Sequence, residues 1–187
     1  MLVPESMQTE RLVLRPLREE DLGDLMRFFG HKECCAFLAP GIVYQVLVQG
    51  HMSYILAQWI TSYHVEEDAS SMVGVTQKGH DPLAGFVGLE KRAIDGAPRL
   101  VYCIMREHWG KGYATEAAGR ILKFVLEQTA WARVEALVDP RNLASVRVAE
   151  KLGMRFERMV HDAEFPDDQR LYAIDRKGTR PGADKDL

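Results

Sequence analysis

Cysteine is scarce in this chain: Cys34, Cys35 and Cys103 are the three present in 187 residues. Two are adjacent and none falls in a CxxC spacing, so neither a disulfide framework nor a thiolate zinc site is suggested. The six histidines include no close ligand pair, and no metal is expected. Free thiols fit a reducing cytoplasm. No basic block stands out from a composition with net charge −3, so a nucleic-acid backbone is not the expected partner. The opening stretch MLVPESMQTERLV lacks a charged leader followed by an apolar core, and a secretory signal is not expected.

Charge is missing altogether from one long segment. Between Glu33 and Glu66 there is no Asp, Glu, Lys or Arg. A membrane span needs ~20 predominantly apolar residues, whereas this run holds Gln45, Gln49, Gly50, His51, Ser53, Gln58, Thr61, Ser62 and His64. No membrane partner is expected. Val48, Met52, Ile55, Leu56, Trp59 and Ile60 recur at three- and four-residue spacing, which predicts one long amphipathic helix over about 44–65. Its other face is polar but uncharged, where Lys and Glu would be usual. That face either lines a cleft or a subunit contact, or belongs to an ordinary surface helix.

What is present is ordinary globular composition, 47% hydrophobic and 27% charged, enough for one domain with a full core. The domain is expected over residues 1–187, with its core at about 8–176 and a polar tail at 177–187. TERLVLRPL at 9–17 predicts a strand, and the segment 18–30 predicts a helix with acidic residues in its first turn. SSMVGVTQ (70–77) and PLAGFVGLEKR (82–92) predict two strands joined by the turn KGHD. A turn at DGAP (95–98) leads to a third strand, RLVYCIM (99–105). Ala118, Ile121, Leu122, Val125 and Leu126 mark a helix over 115–130. A strand at 133–139 stops at Asp139-Pro140, and a helix runs from the N-cap Asn142 to the C-cap Gly153. Strand-like runs at about 155–164 and 169–176 follow. The pattern is an α/β domain with a mixed sheet.

Residues 106–117 read REHWGKGYATEA and place glycines where a strand hands over to a helix. Glycine there permits a tight turn and a close backbone approach to a ligand. A helix start also presents unpaired N–H groups and a partial positive charge, which attract anions. The spacing is not that of a nucleotide P-loop, since no Gly-Lys-Ser/Thr follows a four-residue spacer. A third glycine for a dinucleotide fingerprint is also absent.

WGKGYA (109–114) resembles the cofactor signature of the GNAT N-acetyltransferases, Gln/Arg-x-x-Gly-x-Gly/Ala. Gly112 and Ala114 fill the small positions, while Trp109 stands where Gln or Arg is usual. TERLVLRPL, WGKGYATEA and NLASVRVAEKLGM together are similar to the ribosomal-protein-type branch, and the likeness runs over about 8–176. It implies a single GNAT-like domain with a central mixed, mostly antiparallel twisted sheet flanked by helices. It also implies acetyl-CoA as cosubstrate and an amine acceptor, either a protein N-terminus or a small amine. A homodimer stays open.

The N–H groups of Trp109, Gly110, Lys111, Gly112, Tyr113, Ala114 and Thr115 could wrap the pyrophosphate of acetyl-CoA. Lys111 either adds charge near a phosphate or is simply solvated. By resemblance, the pantetheine arm pairs with the backbone of Tyr102, Cys103 and Ile104. Asn142 is implied at the pantetheine, beside its role as a helix cap, and Ser145 near the thioester sulfur, where it would protonate the leaving thiolate. Many relatives carry a glutamate early in the strand before the glycine turn, where this sequence has Arg99. Glu90, Glu135, Asp139 and His108 are candidate general bases, with water alone as a further option, and each has an ordinary structural reading too. Cys103, alone in its strand, reads as a small buried hydrophobe. Arg99 keeps a second class of function open, a non-catalytic acyl-CoA sensor.

Overall fold

The computed structural model describes residues 6–48, 50–61, 71–90 and 96–176. Their alternating or continuously apolar runs form eight strands: β1 (Met7–Gln8), β2 (Leu12–Pro16), β3 (Ser71–Gln77), β4 (Leu83–Glu90), β5 (Arg99–Ile104), β6 (Arg133–Val138), β7 (Arg155–Val160) and β8 (Gln169–Asp175). They lie in one sheet in the order β1-β2-β3-β4-β5-β6-β8-β7. All neighbours are antiparallel except β5 and β6, which run parallel. The antiparallel β3–β4 hairpin closes through Gly79, with the His80 N–H donating to the Gln77 carbonyl at 3.0 Å. The parallel pair needs a crossover, which α5 (Tyr113–Gln128) supplies.

Helices cover both faces of the sheet, so the central strands are buried on both sides. On one face α5 and α6 (Leu143–Lys151) pack Ala117, Ala118, Ile121, Val125, Val146 and Ala149 against Val87, Leu100, Val134 and Ala136. On the other, α1 (Leu22–Gly30), α2 (Lys32–Cys35), α3 (Pro40–Leu47) and α4 (Met52–Thr61) enclose an aromatic cluster. Phe86 of β4 sits 5.1 Å from Phe28 and 5.4 Å from Trp59, ring centre to ring centre. Edge-on and tilted contacts of this kind add to area burial.

Two sequence expectations change. The uncharged segment forms two helices, α3 and α4, and not one helix over 44–65. Gly50 takes φ +67, a left-handed conformation that ends a helix, and the chain turns there before α4 begins. Met52, Ile55 and Leu56 are buried as expected, and Trp59 and Ile60 pack against the same core, but Val48 is exposed. Gln45 and Gln58 are exposed. The helix expected over 18–30 starts at Leu22, after a short 3-10 turn at Glu19–Asp21. Gln49, Ser62, His64, Asp95 and the polar tail lie outside the described residues.

Candidate active site

The site is built where β5 and β6 stop pairing. The two strands share one register position, Arg99 opposite Glu135, and the Glu135 N–H donates to the Pro98 carbonyl at 3.0 Å. Beyond it, among the described residues, no register joins Leu100 to Ile104 with Ala136 to Val138. A strand edge without a ladder presents free N–H and C=O groups. Each strand leads into a helix, so the gap opens at the carboxyl ends of two parallel strands, the place where open α/β sheets hold ligands.

At the end of β5 a 3-10 turn, Arg106–His108, passes into the glycine segment. Gly110 and Gly112 take φ +76 and +80, which residues with a Cβ rarely adopt. The Trp109 indole N–H donates to the Ile104 carbonyl at 2.7 Å and fastens the turn to the strand. From Gly110 to Thr115 the N–H groups meet no acceptor among the described residues, and the Glu116 N–H is the first to return into the helix, at the Gly112 carbonyl. This row of free donors at the start of a long helix suits an anion. Lys111 is exposed, with Nζ 3.3 Å from Nδ1 of His108, whose ring stacks on Tyr113. Burial and the neighbouring Lys111 ammonium hold the His108 pKa below its usual value, so the imidazole is neutral at pH 7.

The start of α6 faces the same gap. The Asn142 side-chain oxygen accepts the Ser145 N–H at 3.1 Å. That capping leaves the Asn142 amide free to donate elsewhere. The Tyr102 hydroxyl, on β5, donates to the Ser145 carbonyl at 3.1 Å and so braces one strand of the gap against the helix beyond the other. Burial raises the Tyr102 pKa well above its usual value and keeps the phenol protonated as that donor. The Ser145 hydroxyl has no hydrogen-bond partner among the described residues. Cys103 turns its side chain to the opposite face, into the core under α1–α4, and burial pushes its thiol pKa up. It can reach a ligand in the gap by its backbone, and its thiol is a poor nucleophile.

The candidate bases are all engaged. Glu135, 2% exposed, bonds Arg133 at 3.0 Å. Asp139 is held by Arg141 through both carboxylate oxygens, which lowers its pKa. Glu90 lies 3.8 Å from Arg99, whose guanidinium is buried and paired with Asp162 at 2.8 Å. His108 belongs to the turn that leads into the glycine segment, with its Nδ1 3.3 Å from Nζ of Lys111. Among the described residues no group of three or more His, Cys, Asp or Glu is placed to hold a metal. No helix among them is long and apolar enough to cross a membrane.

Sequence reasoning missed three parts of this site: the Tyr102 hydroxyl brace, the indole lock of Trp109, and Arg11. Arg11 reaches from the N-terminal strand region to the Lys111 carbonyl and to Glu116. The one available signal was the acidic residue of ATEA, which stands in the first turn of a helix expected to face an anion.

A mixed sheet unzipped between two parallel strands, with a glycine-started helix beside the opening, is the architecture of one α/β domain with a gap at the strand ends. The family model described as an acetyltransferase (GNAT) domain matches residues 11–155. The chain belongs to this family and is an acetyltransferase. It is 28% identical over 163 residues to the uncharacterized N-acetyltransferase p20 of Bacillus licheniformis, covering 86% of this chain and 88% of that one. The crystal structure of a GNAT-family acetyltransferase from Bacillus anthracis superposes with TM-score 0.76 at 22% identity, covering 91% of this chain and 98% of that one. RimL, a ribosomal L7/L12 alpha-N-protein acetyltransferase solved with coenzyme A, shares the fold with TM-score 0.76 at 17% identity, covering 91% and 98%.

Proposed function

We propose that the chain moves the acetyl group of acetyl-CoA to a primary amine by direct attack on the thioester. The observation that carries this reading is the row of unpartnered N–H groups from Gly110 to Thr115 set beside the unzipped β5–β6 edge. The row fits a pyrophosphate, and the backbone of Tyr102 to Ile104 fits the amides of a pantetheine arm. Asn142, with its amide free, would donate to the same arm. In the reaction the free-base amine nitrogen attacks the thioester carbonyl carbon, the C–S bond breaks and the sulfur takes up a proton. The nitrogen sheds one to water, from which the proton donor is restored. Ser145 is the proposed donor of the proton to sulfur.

The engaged bases favour an acceptor that needs little help. An α-amino group has a pKa of ~8 and is about a tenth free base near neutrality, whereas a lysine at ~10.4 is almost wholly protonated. A protein N-terminus or a small amine of lowered pKa therefore suits this site better than a lysine side chain. RimL, with the same fold, is named for an alpha-N-protein substrate, which supports the same direction.

Acetyl-CoA and CoA are expected to raise the melting temperature by mass action, while NAD and ATP do not. Equal stabilisation by NAD, or none by CoA at ~1 mM, ends the cosubstrate reading. Thiol release from acetyl-CoA with a panel of amines then identifies the acceptor, and release with none of them ends the amine-transfer reading. Replacing Ser145 with alanine is expected to lower kcat by ~10²-fold, within the range for acid–base groups, with CoA affinity little changed. Wild-type turnover in that variant, with chemistry shown to limit the rate, removes Ser145 from the mechanism.

A further inference from the structure

The glycines that open the turn also leave it poorly defined. A peptide unit flanked by glycine rotates easily, and rotating the Lys111–Gly112 unit would turn a carbonyl oxygen toward the anion in place of an N–H. In a trans peptide the N–H lies opposite the C=O, so whatever holds the Lys111 carbonyl also aims the Gly112 N–H. Arg11 holds it: its Nη1 donates to the Lys111 carbonyl at 2.8 Å. The same guanidinium gives Nε to Glu116 at 2.7 Å and has Nη2 2.6 Å from that carboxylate, while its plane lies 5.0 Å over the Tyr113 ring.

Glu116 is otherwise out of place. A carboxylate in the first turn of α5 suits the helix dipole but repels an anion bound at the helix start. It is neutralised by Arg11, and it also accepts from the Arg11 N–H at 2.9 Å and from the Thr9 hydroxyl. Burial would raise its pKa, but the hydrogen bonds from Thr9 and Arg11 outweigh that and hold it lowered. Every bond counted here joins residues about a hundred apart in sequence, so the chain's N-terminal strand region closes onto the turn.

We propose that Arg11, locked by Glu116, is a positioning residue that fixes the Lys111–Gly112 peptide so that the Gly112 N–H faces the pyrophosphate of CoA. The proposal rests on the acetyl-CoA reading above. It differs from direct phosphate binding by Arg11, because the guanidinium is already directed at Glu116 and the Lys111 carbonyl.

The test compares CoA with pantetheine, which lacks the pyrophosphate, using calorimetry for the first and chemical-shift titration for the second. Wild-type protein is expected to bind CoA far more tightly than pantetheine. Failure of that difference overturns the cosubstrate reading itself, whatever the variants do. Arg11→Gln is expected to shrink the CoA-over-pantetheine preference by about 10-fold or more, the scale of one charge-assisted hydrogen bond. Glu116→Gln is expected to weaken CoA in the same direction. Equal weakening of both ligands, or of neither, overturns the proposal. So does tighter CoA binding by Glu116→Gln, the result expected if a freed Arg11 grips phosphate directly. Should Arg11→Gln fail to fold, Arg11→Lys serves. It keeps the charge but cannot span carbonyl and carboxylate together, so it should shrink the same preference, and an unchanged preference overturns the proposal.

Discussion

Valine in place of Gly112 is expected to raise the CoA dissociation constant by on the order of 10²-fold, the loss of one or two charge-assisted hydrogen bonds. Gly112 sits at φ +80, where a residue with a Cβ costs ~1–2 kcal/mol and a β-branched one more. A Cβ there would also stand 3.4 Å from Nη2 of Arg11, at contact distance from the clamp on the turn. The chain escapes this strain by leaving the left-handed region, and the row of N–H groups loses its alignment. Calorimetric titration with CoA measures the effect. Wild-type affinity in the valine variant would show that the turn does not touch the phosphates.

Alanine in place of Gly85 is expected to cost ~3 kcal/mol or more of stability, among the largest effects that a single methyl produces. Gly85 lies opposite Ile104 in the β4–β5 ladder. A Cβ there would come 2.2 Å from the Cys103 carbonyl oxygen and 2.9 Å from the Ile104 Cα. Both are backbone atoms, so no side-chain rotation relieves the contact, and β5 must move away from β4. The strand that moves is the one whose other edge is proposed to pair with pantetheine, so CoA binding should fall together with the denaturation midpoint. Gly23, in α1, is the control: a Cβ there meets nothing within 4 Å, and Gly23→Ala is expected to be neutral or stabilising by under about 1 kcal/mol. Gly85→Ala unfolding at the wild-type midpoint would contradict the close approach.

The parts of the fold written locally were legible in the sequence. The strands, the α5 stripe, the Asn142 cap and the glycine turn each depend on residues within a few positions of one another, where periodicity and capping rules apply. The split between α3 and α4 was legible in principle, since Gly50 is itself the breaking residue, but the apolar spacing across it happens to stay in phase. Arg11 and Glu116 could not be paired from the sequence. They lie 105 positions apart, and nothing in an arginine just before a strand says which carboxylate it will meet. The fate of the candidate bases was hidden only in part for that reason, since Arg133 with Glu135 and Arg141 with Asp139 stand two positions apart. Glu135 and Asp139 look available in a strand and at its end until Arg133 and Arg141 fold back onto them, and Arg99 acquires its partner Asp162 from the loop after β7.

The single register position between β5 and β6 also bears on how the chain assembles. It divides the sheet into two antiparallel ladders, β1 to β5 and β6 to β8, joined by little backbone hydrogen bonding and by the packing of α5. Closing a hairpin such as β3–β4 or β7–β8 fixes only a short loop, whereas bringing β5 to β6 must order the whole crossover. The two ladders are therefore expected to gain protection from amide exchange as separate cooperative units. A ligand seated in the gap, bonded to β5 on one side and to the start of α6 on the other, would tie the two ladders together. Exchange measured with saturating CoA should then show β5 and β6 opening together, at one common rate.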